Sequence, residues 1–432
     1  MAHIRNPVLA DYARIYLRIN QNFMQQLETL GLEIDGSNAD QSIEQLGSSL
    51  ARRGAILRNQ SKSIYVNRIS PACLACRTGM GSATFFISLK CHRDCFFCFN
   101  PHQEDYAFYL DHSRDLIGEL EEIRLSKKSV EHLALTGGEP LLFKSQALAF
   151  FTYAQRHFPK ATTRLYTCGD HADASTLAQL GAAGLDEIRF SIRLHDLERG
   201  QRLTLERIAQ AKAHIPRVMV EMPVLPGTLE MMKQLLLELE QVDIFGINLL
   251  ELCYPFNNPA AFRQRGYRLK GQPYRVLYDY WYAGGLPVAG SEALCLQLVD
   301  FALNQDLHIG VHYCSLENKH TSQVYQQNKS QPIPEHAYFS HKDFFIKTAK
   351  VFGEDIPPTL QVLKKENCRH YVINEDYHFL EFHPRQIHSL SKLNPEIGIS
   401  YSIWDRRGDE SLLRELRLDY TTASKFEYYQ DV

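Results

Sequence analysis

A cluster of three cysteines is the first feature of this sequence that could carry chemistry. The segment 90–100 reads KCHRDCFFCFN and places Cys91, Cys95 and Cys98 in a C-x3-C-x2-C arrangement. Three thiolates this close together are able to bind one metal centre. A structural zinc site normally needs a fourth nearby ligand, whereas a four-iron cluster held by three cysteines leaves one iron open for another molecule. The phenylalanines between and beside the cysteines suit a cluster shielded from water, and such shielding tunes redox potential.

A glycine-rich turn follows one strand and one helix later, in the segment 136–140, which reads TGGEP. Gly137 and Gly138 allow the backbone to approach a ligand closely. A carboxylate such as Glu139, beside exposed carbonyl groups, is able to hold an ammonium group. Paired glycines end many strands, so the turn is informative mainly through its position one β/α unit after the cysteines.

Together the two motifs resemble the radical S-adenosylmethionine (SAM) superfamily, whose signature is this cysteine spacing with an apolar or aromatic residue before the third cysteine. The resemblance implies a [4Fe–4S] cluster on Cys91, Cys95 and Cys98, with the open iron bound to the amino and carboxylate groups of SAM. The residues that the resemblance places against SAM are Phe97, Gly137, Gly138, Glu139, Ser191 and Arg193.

The resemblance also implies a reaction. A reducing electron from a flavodoxin-like or ferredoxin-like donor splits SAM into methionine and a 5′-deoxyadenosyl radical, which removes hydrogen from a substrate, either a peptide or protein or a small molecule. The cysteines after residue 252 are widely separated and do not reproduce the dense block of the so-called SPASM extension, which disfavours peptide maturation. The alternative is a non-catalytic iron–sulfur or zinc protein on the same barrel, but a carrier has no need of the glycine-rich turn.

A second cysteine pair, Cys73 and Cys76, lies just before the first predicted strand in C-x-x-C spacing, which chelates a single centre. Cys314 and Cys253 both end predicted strands and are candidates for the missing ligands. We therefore hypothesise a second iron–sulfur cluster on Cys73, Cys76 and Cys314, with zinc as the rival metal. Cys73 and Cys76 precede the first strand and so lie at the amino-terminal end of the barrel, whereas Cys314 and Cys253 lie at the carboxyl ends of strands. The segment 77–82 must therefore cross the length of the barrel, and six residues cover roughly 20 Å.

The motifs lie on a repeated strand–loop–helix pattern, which predicts a parallel sheet curled as a full or partial (β/α) barrel of the α/β class. In such folds chemistry occurs at the carboxyl ends of the strands. The segment 167–170, which reads TCGD, ends the third strand and is predicted to face the cofactor or substrate. The predicted strands are 84–89, 132–136, 164–167, 187–194, 218–224, 244–252 and 307–313.

The regions flanking the barrel are predicted from periodicity. Residues 1–70 have apolar positions at three- and four-residue steps and are predicted to form a helical N-terminal arm. Residues 71–260 form the predicted core, and 261–432 an α+β extension that closes the barrel and shapes the substrate pocket.

Composition narrows the class of protein. A chain of 432 residues with a net charge of −3 and a pI near 6.7 has no global basic surface, which disfavours nucleic acid as a partner. The amino-terminal residues lack the apolar run of a signal peptide, and no segment is apolar enough to cross a membrane. Ten cysteines without an export signal indicate metal binding or redox chemistry in the cytoplasm.

Overall fold

The computed structural model describes residues 4–36, 39–194, 198–271, 285–407 and 410–431. Two compact units are present. Within the described ranges, we call Gly31–Pro273 with Ala283–Lys319 the barrel unit, and Met1–Leu30 with His320–Val432 the terminal unit. In the part of the chain that is described, no helix is both long enough and apolar enough to span a bilayer.

The elements alternate through most of the chain. The helices are α1 (Pro7–Thr29), α2 (Ala39–Arg52), α3 (Pro71–Ala75), α4 (Tyr106–Asp111), α5 (Leu116–Leu125), α6 (Lys144–His157), α7 (Ala174–Ala182), α8 (Glu198–Ala211), α9 (Leu229–Val242), α10 (Pro259–Gln264), α11 (Ser291–Asn304), α12 (Leu316–Asn328), α13 (Ile356–Lys365) and α14 (Tyr428–Asp431). The strands are β1 (Ile34–Asp35), β2 (Ile56–Arg58), β3 (Ser63–Val66), β4 (Ser82–Phe86), β5 (His132–Thr136), β6 (Thr162–Thr167), β7 (Glu187–Phe190), β8 (Arg217–Val224), β9 (Gly246–Glu251), β10 (Cys253–Tyr254), β11 (Leu269–Lys270), β12 (Leu286–Pro287), β13 (Gly310–Cys314), β14 (Tyr338–Phe339), β15 (Ile346–Phe352), β16 (Tyr371–Asn374), β17 (Phe379–Phe382), β18 (Glu396–Arg407) and β19 (Glu410–Thr422).

The barrel unit is built on a nine-stranded sheet with the order β2-β3-β13-β9-β8-β7-β6-β5-β4. The run from β4 to β9, together with β13, is parallel, while β3 and β2 add antiparallel strands at one edge. Among the described residues β2 and β4 do not pair with each other, so the sheet is a partial barrel of the α/β class. This confirms the fold class predicted from the alternating pattern.

The two faces of this sheet differ in chemistry. Alternate residues such as Leu135, Ile188 and Val220 belong to the hydrophobic core on the helix side, as the two-residue period of a strand requires. The other face carries polar residues in register: Glu221 lies opposite Asn248, and Asn248 lies opposite His312. The interior of the partial barrel is therefore a polar, largely buried surface, which we call the interior face.

Strand positions agree closely with the prediction, but two local features differ. The sequence predicts Ser113 as the N-cap of the helix that follows the cysteine loop, but helix α5 is capped by Asp115, whose carboxylate accepts the Gly118 N–H at 3.0 Å. Strands β2 and β3 lie inside the stretch predicted as a helical arm and extend the sheet. The helical periodicity of residues 7–52 dominates the pattern of the predicted arm. The two strands that follow are short, and β3 pairs with β13, which is distant in the sequence, so the local pattern did not predict them. The units divide at Leu30 and at Lys319, whereas the predicted domain boundaries lie at residues 70 and 260.

The terminal unit has its own sheet, in which β15 pairs with β14, β17 and β18, and β19 pairs with β18. Helix α1 begins where the Asn6 side chain accepts the N–H groups of Val8 and Leu9 at 3.0 and 3.1 Å. Lys350 on β15 is 4% exposed and is paired with Glu415. The N-cap stabilises the start of α1, and the pairing compensates the cost of burying the Lys350 charge.

Candidate active site

The cysteine loop leaves β4 at Phe86 and is held by hydrogen bonds at its base. The Leu89 N–H and the Ser88 hydroxyl both donate to the Tyr109 carbonyl, at 3.0 and 2.6 Å. The Lys90 N–H donates to the Ser88 hydroxyl at 3.1 Å. Because Lys90 directly precedes the first cysteine, these bonds position the start of the three-cysteine segment at the carboxyl end of the strand.

The three sulfur atoms lie on one short loop with different exposures. Cys91 is exposed, whereas Cys95 and Cys98 are partly buried. The Arg93 N–H donates to the Cys91 sulfur at 3.4 Å, and the Cys98 N–H donates to the Cys95 carbonyl at 2.9 Å. These backbone contacts give the loop a defined course between its cysteines.

The separation of these sulfur atoms bears on the metal. On a tetrahedral zinc with bonds of about 2.3 Å, sulfur ligands would lie about 3.8 Å apart. Among the described residues, three ligand atoms within 4.8 Å of one another occur only in His92, Cys168 and Asp170. The sulfur atoms of Cys91, Cys95 and Cys98 are thus not all within 4.8 Å of one another, a wider spacing than a single zinc ion imposes.

Burial affects the protonation of two of these thiols. Desolvation raises the pKa of Cys91, although the Arg93 N–H opposes the shift, and desolvation likewise raises the pKa of Cys98. Metal ligands must be deprotonated, so binding at these residues releases protons. The free thiols are therefore poorly nucleophilic, and metal binding itself must drive their deprotonation.

The glycine-rich turn packs directly against the cysteine loop. A Cβ atom on Gly138 would lie 1.9 Å from the Lys90 carbonyl oxygen, and one on Gly137, whose φ is +117°, would lie 2.7 Å from the Ser88 oxygen. The Glu139 N–H donates to the Lys90 carbonyl at 2.9 Å. Glycine is therefore required here by close backbone approach, and the turn and the loop form one rigid unit.

The Glu139 side chain joins the ends of two strands. It is 2% exposed, and one oxygen accepts the Leu141 N–H at 3.0 Å and the Thr167 hydroxyl at 2.8 Å. Its other oxygen accepts the Cys168 N–H at 2.8 Å. The carboxylate thus fixes the turn after β5 to the end of β6, which leaves the backbone of the turn as the surface available to a ligand.

Aromatic side chains cover the loop. Phe96 is buried, with its ring centroid 5.0 Å from that of Phe97 and 5.2 Å from that of Phe262. The Arg265 guanidinium lies over the Phe96 ring at 4.0 Å. Phe97, which the signature singles out, is partly buried beside it. Of the phenylalanines expected to exclude water from the loop, Phe96 is more buried than Phe97, although the cysteine signature does not include it.

Asp170 connects the loop after β6 to the cysteine loop. Its carboxylate accepts two hydrogen bonds from the Arg93 guanidinium, at 2.6 and 2.7 Å, and lies 2.6 Å from the His92 Nε2 atom. Burial would raise the pKa of Asp170, but the hydrogen bonds from Arg93, His92 and Cys168 hold it well below its usual range. Because Arg93 already binds this carboxylate, we interpret the close trio of His92, Cys168 and Asp170 as an anchor for the loop.

Replacing Asp170 should loosen this anchor. In Asp170→Asn the bidentate acceptor for Arg93 is lost, and we expect the affinity of the loop for its metal to fall about 10- to 100-fold, as for other outer partners of metal ligands. The rate of iron release to a chelator measures the effect. Asp173→Asn is the matched control, because Asp173 caps α7 through the Thr176 N–H and asparagine caps equally well. Equal iron retention in both variants would contradict the anchoring role.

The two residues predicted at the end of the fourth strand lie just beyond it, because β7 ends at Phe190. The Ser191 N–H continues the ladder by donating to the Thr167 carbonyl at 2.9 Å. Arg193 is 5% exposed and interacts electrostatically with the Cys91 thiol, as Glu139 does. The structure therefore brings Arg193, Glu139 and the cysteine loop together.

Of the second predicted group, Cys73 reaches the barrel interior through contacts that local sequence patterns do not reveal. Helix α3 lies against the interior face, where the Cys73 sulfur accepts hydrogen bonds from Arg189 Nη2 and Asn248 Nδ2, each at 3.4 Å. Burial raises the pKa of Cys73, but Arg189 and His312 outweigh it and lower the value to about 6. The Cys314 thiol differs, since burial raises its pKa to about 12.

Several residues that contact the cysteine loop, the glycine-rich turn or Cys73 belong to no sequence motif. The Asn100 side chain donates to the Gly137 carbonyl at 2.7 Å, and the Asn257 side chain donates to the Cys98 carbonyl at 3.1 Å. Arg189 and Asn248 occupy interior positions of β7 and β9, and each lies between two apolar residues of its strand. A charged or amide residue between apolar residues of a strand can be recognised in the sequence as a candidate site residue. Asn100 and Asn257 lie in loops, where no such pattern marks them.

Part of this chain is similar to a known protein family. The family model described as the radical SAM superfamily matches residues 85–239, which contain both motifs and strands β5 to β8. A curated protein of Methanocaldococcus jannaschii, named "Putative glycyl-radical enzyme activating enzyme MJ0021", is 22% identical over 327 residues, covering 72% of this chain and 81% of that protein.

Solved structures are similar at a lower level. Streptococcus suis SuiB bound to its precursor peptide SuiA has a TM-score of 0.41 and 12% identity, covering 72% of this chain. Escherichia coli coproporphyrinogen III oxidase, described as a radical SAM enzyme, has a TM-score of 0.37 and 17% identity, covering 55% of this chain. This chain spans 64% of the length of SuiB and 56% of that of the oxidase.

Proposed function

Because this chain belongs to the radical SAM superfamily, we propose that Cys91, Cys95 and Cys98 hold a [4Fe–4S] cluster and that the protein cleaves SAM reductively. The observation that carries the proposal is the contact between the two motifs. Gly138 and the Glu139 N–H meet the Lys90 carbonyl, so the ligand-binding turn and the metal-binding loop share one backbone interface. A structural metal site would have no need for such a turn.

The residues of the site have separable tasks in this proposal. When bound, the cluster and SAM supply an electron transfer that yields methionine and a 5′-deoxyadenosyl radical. Cys91, Cys95 and Cys98 bind iron, and the backbone of residues 137–139 accepts the SAM amino group. Arg193, a buried cation near Cys91, orients the SAM carboxylate, and Ser191 lies beside the ribose. Phe96 and Phe97 keep water away from the radical.

The proposed reaction needs two partners. Radical SAM enzymes require an electron donor, and we assign a flavodoxin-like or ferredoxin-like protein to that role. The substrate is a peptide or protein or a small molecule, and the name of the M. jannaschii relative favours a protein substrate. We place the reaction in the cytoplasm, because none of the ten described cysteines forms a disulfide and a reducing compartment keeps cysteines available for metal.

We also propose a second metal centre on Cys73, Cys76 and Cys314, holding either an iron–sulfur cluster or zinc. Its support is the position of α3, which brings Cys73 onto the interior face that also carries Cys314 at the end of β13. In this proposal the segment 77–82 does not have to carry the cysteine pair across the barrel, because Cys73 already contacts Arg189 and Asn248 in the barrel interior.

Anaerobic turnover tests the main proposal. After reconstitution with iron and sulfide, SAM and dithionite are added, and 5′-deoxyadenosine is measured by chromatography. We expect product from the unmodified protein and none above the protein-free background from Cys95→Ala, because one cluster ligand is lost. Cys368→Ala is the control, since Cys368 lies in the terminal unit. A reduced cluster that binds SAM and forms no 5′-deoxyadenosine would contradict the proposal.

A further inference from the structure

The barrel unit contains Cys73, Cys76, Cys253 and Cys314, which we call the interior cysteine group. We infer that this group holds a second iron–sulfur cluster with four protein ligands, in which Cys253 is the fourth. The inference deepens the proposed second metal centre by naming the kind of metal centre, an iron–sulfur cluster, and all four of its protein ligands. It does not depend on SAM cleavage at the first site.

The first step is the position of Cys73 relative to Cys314. Asn248 Nδ2 donates to the Cys73 sulfur at 3.4 Å, while Asn248 Oδ1 lies 2.9 Å from His312 Nδ1 on the neighbouring strand. Cys314 is two residues beyond His312 and therefore points from the same face of β13. The Asn248 side chain thus lies between the strand that carries Cys314 and the helix that carries Cys73.

The second step places Cys76 and Cys253 in the same region. Cys76 ends α3, three residues after Cys73, so the two side chains share one helix face. Cys253 begins β10, just after β9 ends, and β9 is the strand that pairs with β13. Cys314 interacts electrostatically with both Cys73 and Cys76.

The third step is a cation near the sulfur atoms. The Lys319 ammonium interacts electrostatically with Cys76, Cys253 and Cys314, and also with Glu221. Thiols from three different elements therefore share one positively charged neighbour. Four thiolates in a buried site need positive charge nearby, and Lys319 and the Arg189 guanidinium beside Cys73 supply it.

The last step concerns the choice between a cluster and zinc. In the described part of the chain, no three of these sulfur atoms lie within 4.8 Å of one another, whereas on one zinc ion they would be about 3.8 Å apart, so the spacing favours the larger centre. The sulfur atoms also accept hydrogen bonds: Cys73 from Arg189 and Asn248, and Cys314 from Asn318 Nδ2 at 3.4 Å. Hydrogen bonds to sulfur and net charge are the means by which proteins tune iron–sulfur clusters.

Metal analysis of the full chain tests the inference. In the triple variant Cys91→Ala, Cys95→Ala, Cys98→Ala, which lacks the first site and cannot cleave SAM, we expect about four irons and four sulfides per chain after anaerobic reconstitution. Each bound thiol gives up a proton to solvent. Zinc in place of iron, or no bound metal in a folded triple variant, would overturn the inference. Failure of SAM cleavage in the unmodified protein would leave this result unaffected.

The fourth ligand is tested on the same triple variant. Adding Cys253→Ser should reduce the iron content at least twofold or change the electron paramagnetic resonance spectrum of the reduced cluster, whereas adding Cys368→Ser should change neither. An unchanged iron content and spectrum in the Cys253→Ser protein would exclude Cys253 as a ligand. Lys319→Met gives an independent readout, since loss of a buried positive charge should shift the cluster's midpoint potential to more negative values. An unshifted potential would place the cluster away from Lys319.

Discussion

Gly138→Ala should lose most of its capacity to bind iron at the first site and SAM. The added methyl group would lie 1.9 Å from the Lys90 carbonyl oxygen, well inside contact distance, and both partners are backbone atoms that cannot rotate away. The position of a Cβ atom is set by its own backbone and the atoms that it meets are backbone atoms, so relief of this overlap requires the turn to separate from the cysteine loop. Overpacking of this kind costs about 1–3 kcal/mol, and displacement of Lys90 moves the adjacent ligand Cys91.

The measurements for this variant are iron per chain after reconstitution, the dissociation constant for SAM, and the free energy of unfolding. We expect SAM affinity to fall at least about 10-fold, in the range seen when partners of metal ligands are removed. Gly36→Ala is the matched control, because Gly36 is exposed and a Cβ atom there meets no atom within 4 Å. Wild-type iron content and SAM affinity in Gly138→Ala would show that the interface between the two motifs is dispensable.

Arg189→Met should destabilise the barrel unit by about 3–5 kcal/mol, the usual cost of removing one partner from a buried ion pair. Arg189 is 3% exposed and donates to Glu187 at 2.7 Å and to Glu221. Methionine preserves much of the volume but removes the guanidinium that both carboxylates bind most closely, leaving Glu187 with Arg217 at 3.5 Å and Glu221 with the field of Lys319. Denaturant unfolding of the apo protein measures the loss.

Two comparisons separate this effect from a general loss of packing. Arg202→Met removes an arginine from an exposed pair with Glu198 and should cost less than about 1 kcal/mol. Adding Glu187→Gln and Glu221→Gln to Arg189→Met should restore part of the stability, because the unpaired charges are then absent. A cost for Arg189→Met no larger than that for Arg202→Met would contradict the buried ion pair.

The effect of Arg189 should also depend on pH. Burial raises the pKa of Glu221, but the Arg189 and Lys319 cations outweigh it and lower the value to about 2. A carboxyl group whose pKa is lowered on folding stabilises the protein above its unfolded pKa, about 4.3, and loses this contribution as the pH falls toward the folded value. The difference in stability between wild type and Arg189→Met should therefore narrow below about pH 4.

Much of the fold was predictable because its strands are short apolar runs at regular spacing. Strand β5 was predicted over the residues that form it, and the cysteine loop and the glycine turn lie at strand ends as expected. The position of α3 was not predictable, because contact of Cys73 with Asn248 depends on strand order and curvature across the sheet. The same holds for Asn100 and Asp170, whose importance comes from partners on other loops.

The insertion of α3 into the barrel has a consequence for how the chain acquires its structure. The Ser70 hydroxyl donates to Glu187, 117 residues later, and Cys73 meets Asn248, 175 residues later. Contacts of such long sequence separation form late, because a large loop must close before they contribute. We expect α3 to reach its place only after strands β4 to β9 have assembled. Until then the C-x-x-C pair stays accessible, and this interval is when a metal carrier would reach it.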